Sequence, residues 1–221
     1  MRPFVAQSKS KRFLNMSEEK NPTDALTDLK IVQFPHPTLR HKSKPITRVD
    51  GQLKNVVKTM FDLMYEAKGI GLAANQVDLP IQLFIVNVAG KRDEGEELVF
   101  INPVLSNPKG TDEAEEGCLS IPQVGANVTR PEQVHVSAYD LAGNEIDITV
   151  NGMLAKVIQH EYDHLQGVLF IDRVHESSQR QVEMDLVEFQ LQFDQMRKSG
   201  EIPDDASILT RLAAIEAQYC S

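Results

Sequence analysis

No stretch of this 221-residue chain approaches the roughly 20 consecutive apolar residues needed to cross a bilayer. The first sixteen residues hold Arg2, Lys9, Lys11 and Arg12 but no apolar run resembling a secretory signal. Membrane insertion and secretion are therefore not expected. Cysteine is scarce: only Cys118 and Cys220 occur, too few and too badly placed for a disulfide scaffold. A reducing compartment fits, and Cys118 is left free for chemistry. Positive charge is also short, with 23 Lys and Arg against 32 Asp and Glu and a formal charge of −9. Such a surface repels phosphate, which excludes a stand-alone nucleic-acid binder and any direct DNA contact. Internal repeats and low-complexity tracts are absent.

What is present suffices for one domain, since 41% of the residues are hydrophobic and the length is ordinary for a single core. Residues 1–28 are polar and aperiodic and read as a disordered extension. Their basic, Ser-containing start also allows a weak organellar transit peptide; the simpler readings are a tail, or initiation at Met16. A catalytic domain is expected over 29–198, followed by an extension over 199–221 that ends in a short helix.

Phe34-Pro35-His36-Pro37 reads as extended, and Asp50 can cap the helix that follows. Leu53, Val56, Val57, Met60, Leu63, Met64 and Ala67 recur at steps of three and four, and Lys68-Gly69 supplies a stop. Ile81 to Val88 and Leu98 to Ile101 read as buried strands. Val134 to Tyr139 and Glu145 to Val150 alternate around Ala142-Gly143-Asn144, a hairpin signal. Asn151-Gly152 precedes a further helix and Gly167 follows it. The spacing of Val182, Leu186, Phe189, Phe193 and Met196 predicts a long amphipathic helix, and Ile208, Leu212, Ile215 and Tyr219 repeat the pattern after a break at Gly200 and Pro203. Both stripes read as packing surfaces. The fold class expected is α+β, with mainly antiparallel sheets around the helix that contains residues 159–165.

That helix carries Gln159-His160-Glu161-Tyr162-Asp163-His164, an HExxH pattern that places two imidazoles one turn apart on one face beside a carboxylate. A surface histidine pair is the bland alternative. Against it stand Val157, Ile158, Leu165, Leu169 and Phe170, which make the helix apolar enough to be buried. Tyr162 and Asp163 read as packing or supporting residues. Hydrolysis at a metal needs three protein ligands and one open position. Cys118, in the segment Glu115 to Pro122, would complete a Cys-His₂ set with His160 and His164, because a nearby divalent metal would hold it as thiolate. Its segment reads as a loop or edge, and the default for a lone cysteine is a small buried hydrophobe. Gly69 to Gln76 forms the third segment. It follows a helix and lacks a third glycine in place, so it is no dinucleotide fingerprint. Small residues there let a substrate backbone approach, and Gln76 offers an uncharged donor.

The three segments together resemble the peptide deformylase family, whose motifs GxGxAAxQ, EGCLS and QHExDH stand here, in the same order, as Gly69–Gln76, Glu116–Ser120 and Gln159–His164. Similarity runs from about Leu29 to Arg173 and includes the FPxPxLR-like stretch Phe34–Arg40. The resemblance implies one divalent metal, Fe²⁺ natively with Zn²⁺ or Ni²⁺ as substitutes, and hydrolysis of the formyl group from N-formylmethionine on new polypeptides. It implies Glu161 as the base that activates water, and Gln76 with the Leu119 backbone N–H as oxyanion donors. Substrate would lie near Ile70 and Gly71, with its methionine side chain beside Leu119, Met153, Val157 and His160. Glu116 and Arg130 would form a structural ion pair. Ala114 stands where many members have a larger residue, which leaves side-chain preference open. The partners implied are N-formylmethionyl nascent chains, with transient ribosome contact following from the substrate class and no oligomeric state specified. The compartment expected is bacterial cytoplasm rather than an organelle.

Two other readings compete. An HExxH protease would use a downstream carboxylate, and Glu183 is the best candidate, although its place in the amphipathic helix reads as a solvated face. A metal-stabilised binding module would need no Glu161 or Gln76 and would usually have a fourth protein ligand. His36, His41, His135 and His175 read as surface or hydrogen-bonded histidines instead.

Overall fold

The computed structural model describes Leu26 and residues 28–221. The disordered segment expected over 1–28 therefore falls almost wholly outside the described residues. Among the described residues, two antiparallel sheets and four α-helices make up the architecture. Asp50 accepts from the Leu53 N–H at 2.8 Å and starts α1 (Gly51–Glu66). This helix buries Leu53, Val56, Val57, Met60, Phe61 and Met64, and the chain leaves it through Lys68 in the left-handed region. Ala67, predicted as part of that stripe, caps the helix and is exposed, because the turn ends before its face returns to the core.

The larger sheet has the order β1-β2-β3-β6-β7, built from β1 (Gly71–Ala73), β2 (Leu83–Val86), β3 (Leu98–Lys109), β6 (Gln133–Tyr139) and β7 (Glu145–Asn151). All four residues of β2 are buried because the sheet is covered on both faces. Leu83 and Ile85 join Leu53, Val56 and Met60 of α1, whereas Phe84 and Val86 join Ala155, Ile158 and Leu165 of α2 (Gly152–Leu165). The predicted hairpin is β6–β7, and its turn is fixed by Asp140, whose carboxylate accepts from the backbone N–H of Ala142 and of Asn144, each at 2.8 Å. β3 runs well past the Ile101 expected from its apolar run. The register shifts after Ile101 and again after Ser106, with Asn102 and Asn107 in the left-handed region, so the strand passes Pro103 and Pro108 as bulges.

The segment expected as a loop or edge is a second hairpin, β4 (Asp112–Cys118) paired with β5 (Ile121–Arg130). β5 packs its apolar residues Ile121, Val124 and Val128 against Leu39, Leu169, Phe170 and Val182. The predicted amphipathic helix is α3 (Glu176–Ser199), with Val182 buried and Leu186 and Phe189 partly so. α4 (Asp205–Tyr219) buries Ile208, Leu212, Ile215 and Tyr219, the four residues of its predicted stripe. The stretch expected to be extended around Pro37 instead forms a 3-10 turn, Pro37–Arg40, with His36 capping the Thr38 N–H. No described helix is long and apolar enough to cross a membrane.

Candidate active site

α2 is wedged under the large sheet by Ala155, Val157, Ile158 and Leu165, and this fixes the direction of its other face. From that face His160 and His164 project together, ring centroids 5.0 Å apart. Cys118 arrives from the end of β4. The ladder there jumps from Gly117 opposite Gly125 to Cys118 opposite Ile121, and this irregularity aims the thiol at the helix. Its Sγ lies 3.3 Å from His164 Nε2, and ligand atoms of Cys118, His160 and His164 all fall within 4.8 Å of one another. Glu183 takes no part; it is exposed on α3. The remaining histidines have other partners: His36 accepts from the Thr38 N–H, His41 meets Glu216, His135 meets Asp147 and His175 meets Thr129.

A chain of charges stands behind the cluster. Glu116 Oε2 lies 2.9 Å from His160 Nδ1, and the same carboxylate accepts two hydrogen bonds from Arg130, one of them at 2.8 Å. Arg130 also donates to Asp163 Oδ2 at 2.8 Å, and Arg173 closes the row with two bonds to Asp163 at 2.5 Å. The Glu116–Arg130 pair implied by the family resemblance is thus part of a longer network. Burial pushes Glu116 up, but the hydrogen bonds from Arg130 and His160 outweigh it and hold the carboxyl at about 2. Glu116 is therefore an anion that fixes the His160 ring and leaves Nε2 facing Cys118.

Burial lowers the affinity of His160 for a proton, yet the bonds to Cys118 and Glu116 raise it to about 10. Burial, joined by the charge of His160, drives His164 well below its ordinary value, so that ring stays neutral and keeps a lone pair. Glu161 is buried and pushed up by that burial to about 7; its Oε2 has no hydrogen-bond partner among the described residues. One thiolate and two imidazoles match the donor set of a divalent metal with borderline-soft preferences, with a further position left for a non-protein ligand. The residues present fit such an ion.

Gln76 lies in the 3-10 turn Ala74–Val77 and is 1% exposed. Its Oε1 accepts from the Ala73 N–H at 2.8 Å, which turns Nε2 toward Cys118 Sγ (3.3 Å) and Ser120 Oγ (3.2 Å). The neighbouring Asn75 donates to the carbonyl of His164. Gly71 is set against α2 so closely that a Cβ there would lie 2.4 Å from Glu161 Oε1 and 2.8 Å from Val157 Cγ1. Leu119 is half-buried and packs on Gly69. Ile70 is half-buried beside Gly90. Val157 is 7% exposed, whereas Met153, one turn earlier on the same face, is 57% exposed.

Sequence reasoning did not find Asn75, Ser120 or Arg173. Asn75 and Ser120 sit inside the motifs, but nothing local marks them as hydrogen-bond partners of the site. Arg173 follows Asp163 by ten positions, and only the turn at Gly167 brings the two together.

A family model described as "Polypeptide deformylase" matches residues 28–180. Among curated proteins, a peptide deformylase of Rhodopirellula baltica is 50% identical over 191 residues, covering 86% of this chain and 95% of that protein. A chloroplastic peptide deformylase 1B of Solanum lycopersicum is 44% identical over 184 residues, which is 83% of this chain and 65% of that one. The crystal structure of a plant peptide deformylase superposes with a TM-score of 0.76 at 40% identity, covering 81% of this chain and 96% of that structure.

Proposed function

The chain belongs to the polypeptide deformylase family and is an enzyme of that kind, a hydrolase removing the N-formyl group from new polypeptides; we propose that Cys118, His160 and His164 hold its metal and that Glu161 and Gln76 do its chemistry. The observation that carries this reading is the convergence of Cys118, His160 and His164, with Gln76 bonded to Cys118 and Glu161 buried on the helix that carries both histidines; hydrogen bonds to the Ala73 N–H and to Glu116 fix Gln76 and His160. A divalent cation held by the three ligands would supply Lewis acidity to the reacting water and carbonyl.

Substrate enters along β1. This strand ends the order of the large sheet and pairs only with β2 among the described residues, so its other edge has no strand partner there and can take an added strand at Ile70 and Gly71, ahead of the Ala73 N–H that Gln76 occupies. A formylated peptide laid there runs beside Ile70 and Gly71, and its first side chain points toward Val157, with Met153 at the rim. Glu161, buried and raised to about 7, takes a proton from water as the oxygen adds to the formyl carbon. Charge then collects on the former carbonyl oxygen. The Gln76 hydrogen now directed at Cys118 Sγ and the Leu119 N–H donate to it. Glu161 passes its proton to the amine nitrogen as the C–N bond breaks, and formate and a free amino terminus leave.

The native metal in this proposal is Fe²⁺, replaceable by Zn²⁺ or Ni²⁺. Residues 29–198 form the catalytic domain, with 199–221 added to it. The enzyme works in the cytoplasm and meets its substrate as it leaves the ribosome. Formate release from a short formyl-methionyl peptide, by anaerobically prepared protein and by Glu161→Gln at equal metal content, tests the reading. Release by the parent alone is expected. No release from a metal-loaded parent overturns it.

A further inference from the structure

The turn that carries Gln76 is held at both ends. At its start, Asn75 bonds the carbonyl of His164, and Gln76 bonds Cys118 and Ser120. At its end, the chain escapes through Asp78, which adopts a left-handed conformation (φ 66°, ψ 29°) and caps the turn with its N–H on the carbonyls of Ala74 and Asn75. A non-glycine residue holds that conformation at a cost, and Asp is among the few that tolerate it. Its carboxylate is fully engaged: Oδ1 accepts from Thr38 Oγ1 at 2.5 Å, and Oδ2 pairs with the Arg211 guanidinium.

Arg211 comes from α4, beyond the residues 28–180 that match the family model. The pairing is partly shielded, with the two side chains 29% and 21% exposed. It is reinforced by packing, since Ile215 and Tyr219 of α4 share a core cluster with Val77 and Leu79, the two neighbours of Asp78. Further along, Glu216 binds His41 at 2.8 Å and Lys44 at 2.6 Å, and Thr47 donates to the Tyr219 carbonyl at 2.8 Å. α4 is thus pinned at its C-terminal half by polar contacts of Glu216 and Tyr219 that do not touch the turn and by the cluster Ile215 and Tyr219 share with Val77, and at Arg211 by an ion pair to the residue that ends the turn.

We propose that Arg211 is a positioning residue for deformylation: through Asp78 it latches the Ala74–Val77 turn and so sets where the Gln76 amide meets the developing oxyanion. The inference rests on the assignment of Gln76 as an oxyanion donor. An amide displaced by even a fraction of an ångström loses much of its value to the transition state while substrate still binds.

The test is steady-state formate release from a formyl-methionyl peptide by the full, metal-loaded chain, with bound metal and Tm measured for every variant. Arg211→Met is expected to lower kcat roughly tenfold with KM and bound metal unchanged, and Arg211→Lys to restore most of it. In a Gln76→Leu background, Arg211→Met is expected to cost nothing further, because the amide it positions is gone. The Gln76 side-chain amide resonance, identified by its loss in Gln76→Leu, is expected to move in Arg211→Met and to stay in place in Glu216→Gln, which loosens α4 without touching the turn. The latch is overturned by an undiminished kcat in Arg211→Met, by an equal fold-loss with and without Gln76, or by an equal kcat loss in Glu216→Gln at matched Tm. If Gln76→Leu itself keeps the parent kcat, the donor assignment fails first; loss in Gln76→Leu with none in Arg211→Met removes the latch alone.

Discussion

Glu116 Oε2 stands 2.9 Å from His160 Nδ1, and through Glu116 and Arg130 this histidine is tied to Asp163, three residues further along its own helix. The helix therefore orients that ring partly through a residue one turn further along it, by way of two strands. A ring held in this way keeps one tautomer and one direction, and the carboxylate behind it raises its basicity as a ligand.

Glu116→Gln keeps the shape of this contact and removes its charge. It leaves Arg130, 3% exposed, with Asp163 as its remaining charged partner and His160 with a weaker anchor. Metal affinity is expected to fall by about 10- to 100-fold, read as the chelator concentration that strips half the metal. Unchanged chelator resistance would show that Glu116 serves the fold alone.

Gln76→Leu deletes an uncharged donor from a position 1% exposed, with little change in volume. Loss of one preorganised oxyanion donor costs on the order of 10²- to 10³-fold in kcat. Metal content is expected to stay at the parent level, because Gln76 is no ligand. A variant that loses metal along with activity would instead assign Gln76 to holding Cys118.

The amphipathic helices were legible because their burial follows local periodicity: Ile208, Leu212, Ile215 and Tyr219 are buried as their spacing requires. The Cys118, His160 and His164 cluster was legible because each of the three sits in a short motif with its own chemistry. The β4–β5 hairpin was not, since strand residues such as Glu113, Glu115 and Gly125 have neither an apolar alternation nor a tight-turn signature. Its pairing is decided by what β5 packs against from α3 and the 3-10 turn near Phe170, contacts far away in sequence. The bulges of β3 escaped for a similar reason. Asn102 accepts a left-handed conformation because its side chain bonds both the N–H and the carbonyl of Ile46 at 2.8 Å, a partner 56 positions away.

Gly71→Ala tests how closely β1 must approach α2. The added methyl would lie 2.4 Å from Glu161 Oε1 and 2.8 Å from Val157 Cγ1, inside any normal contact, so the base or the strand must move. Overpacking of this kind costs about 1–3 kcal/mol, and here the strain falls on Glu161, the carboxylate proposed as the base. Turnover is expected to drop more steeply than Tm. A crystal structure of the variant with Glu161 undisturbed, together with parent activity, would contradict the close approach.

The pH dependence of stability should carry the mark of Glu216. Burial pushes its carboxyl up, but the hydrogen bonds from Lys44 and His41 prevail and leave it below the ordinary value of 4.5. A folded-state value lower than the unfolded one means that the folded protein binds the proton less readily, so Glu216 contributes its stability at pH above about 4.5 and loses it as pH falls through the lowered folded value. Glu216→Gln removes that contribution. Its Tm is expected to lie below the parent's at neutral pH and to converge on it as acid protonates the parent carboxyl. Thermal unfolding followed from pH 7 down through the carboxylate range reads this directly. A deficit that stays constant to the acid end would mean that shape at the α4 contact matters and that the charge on Glu216 does not.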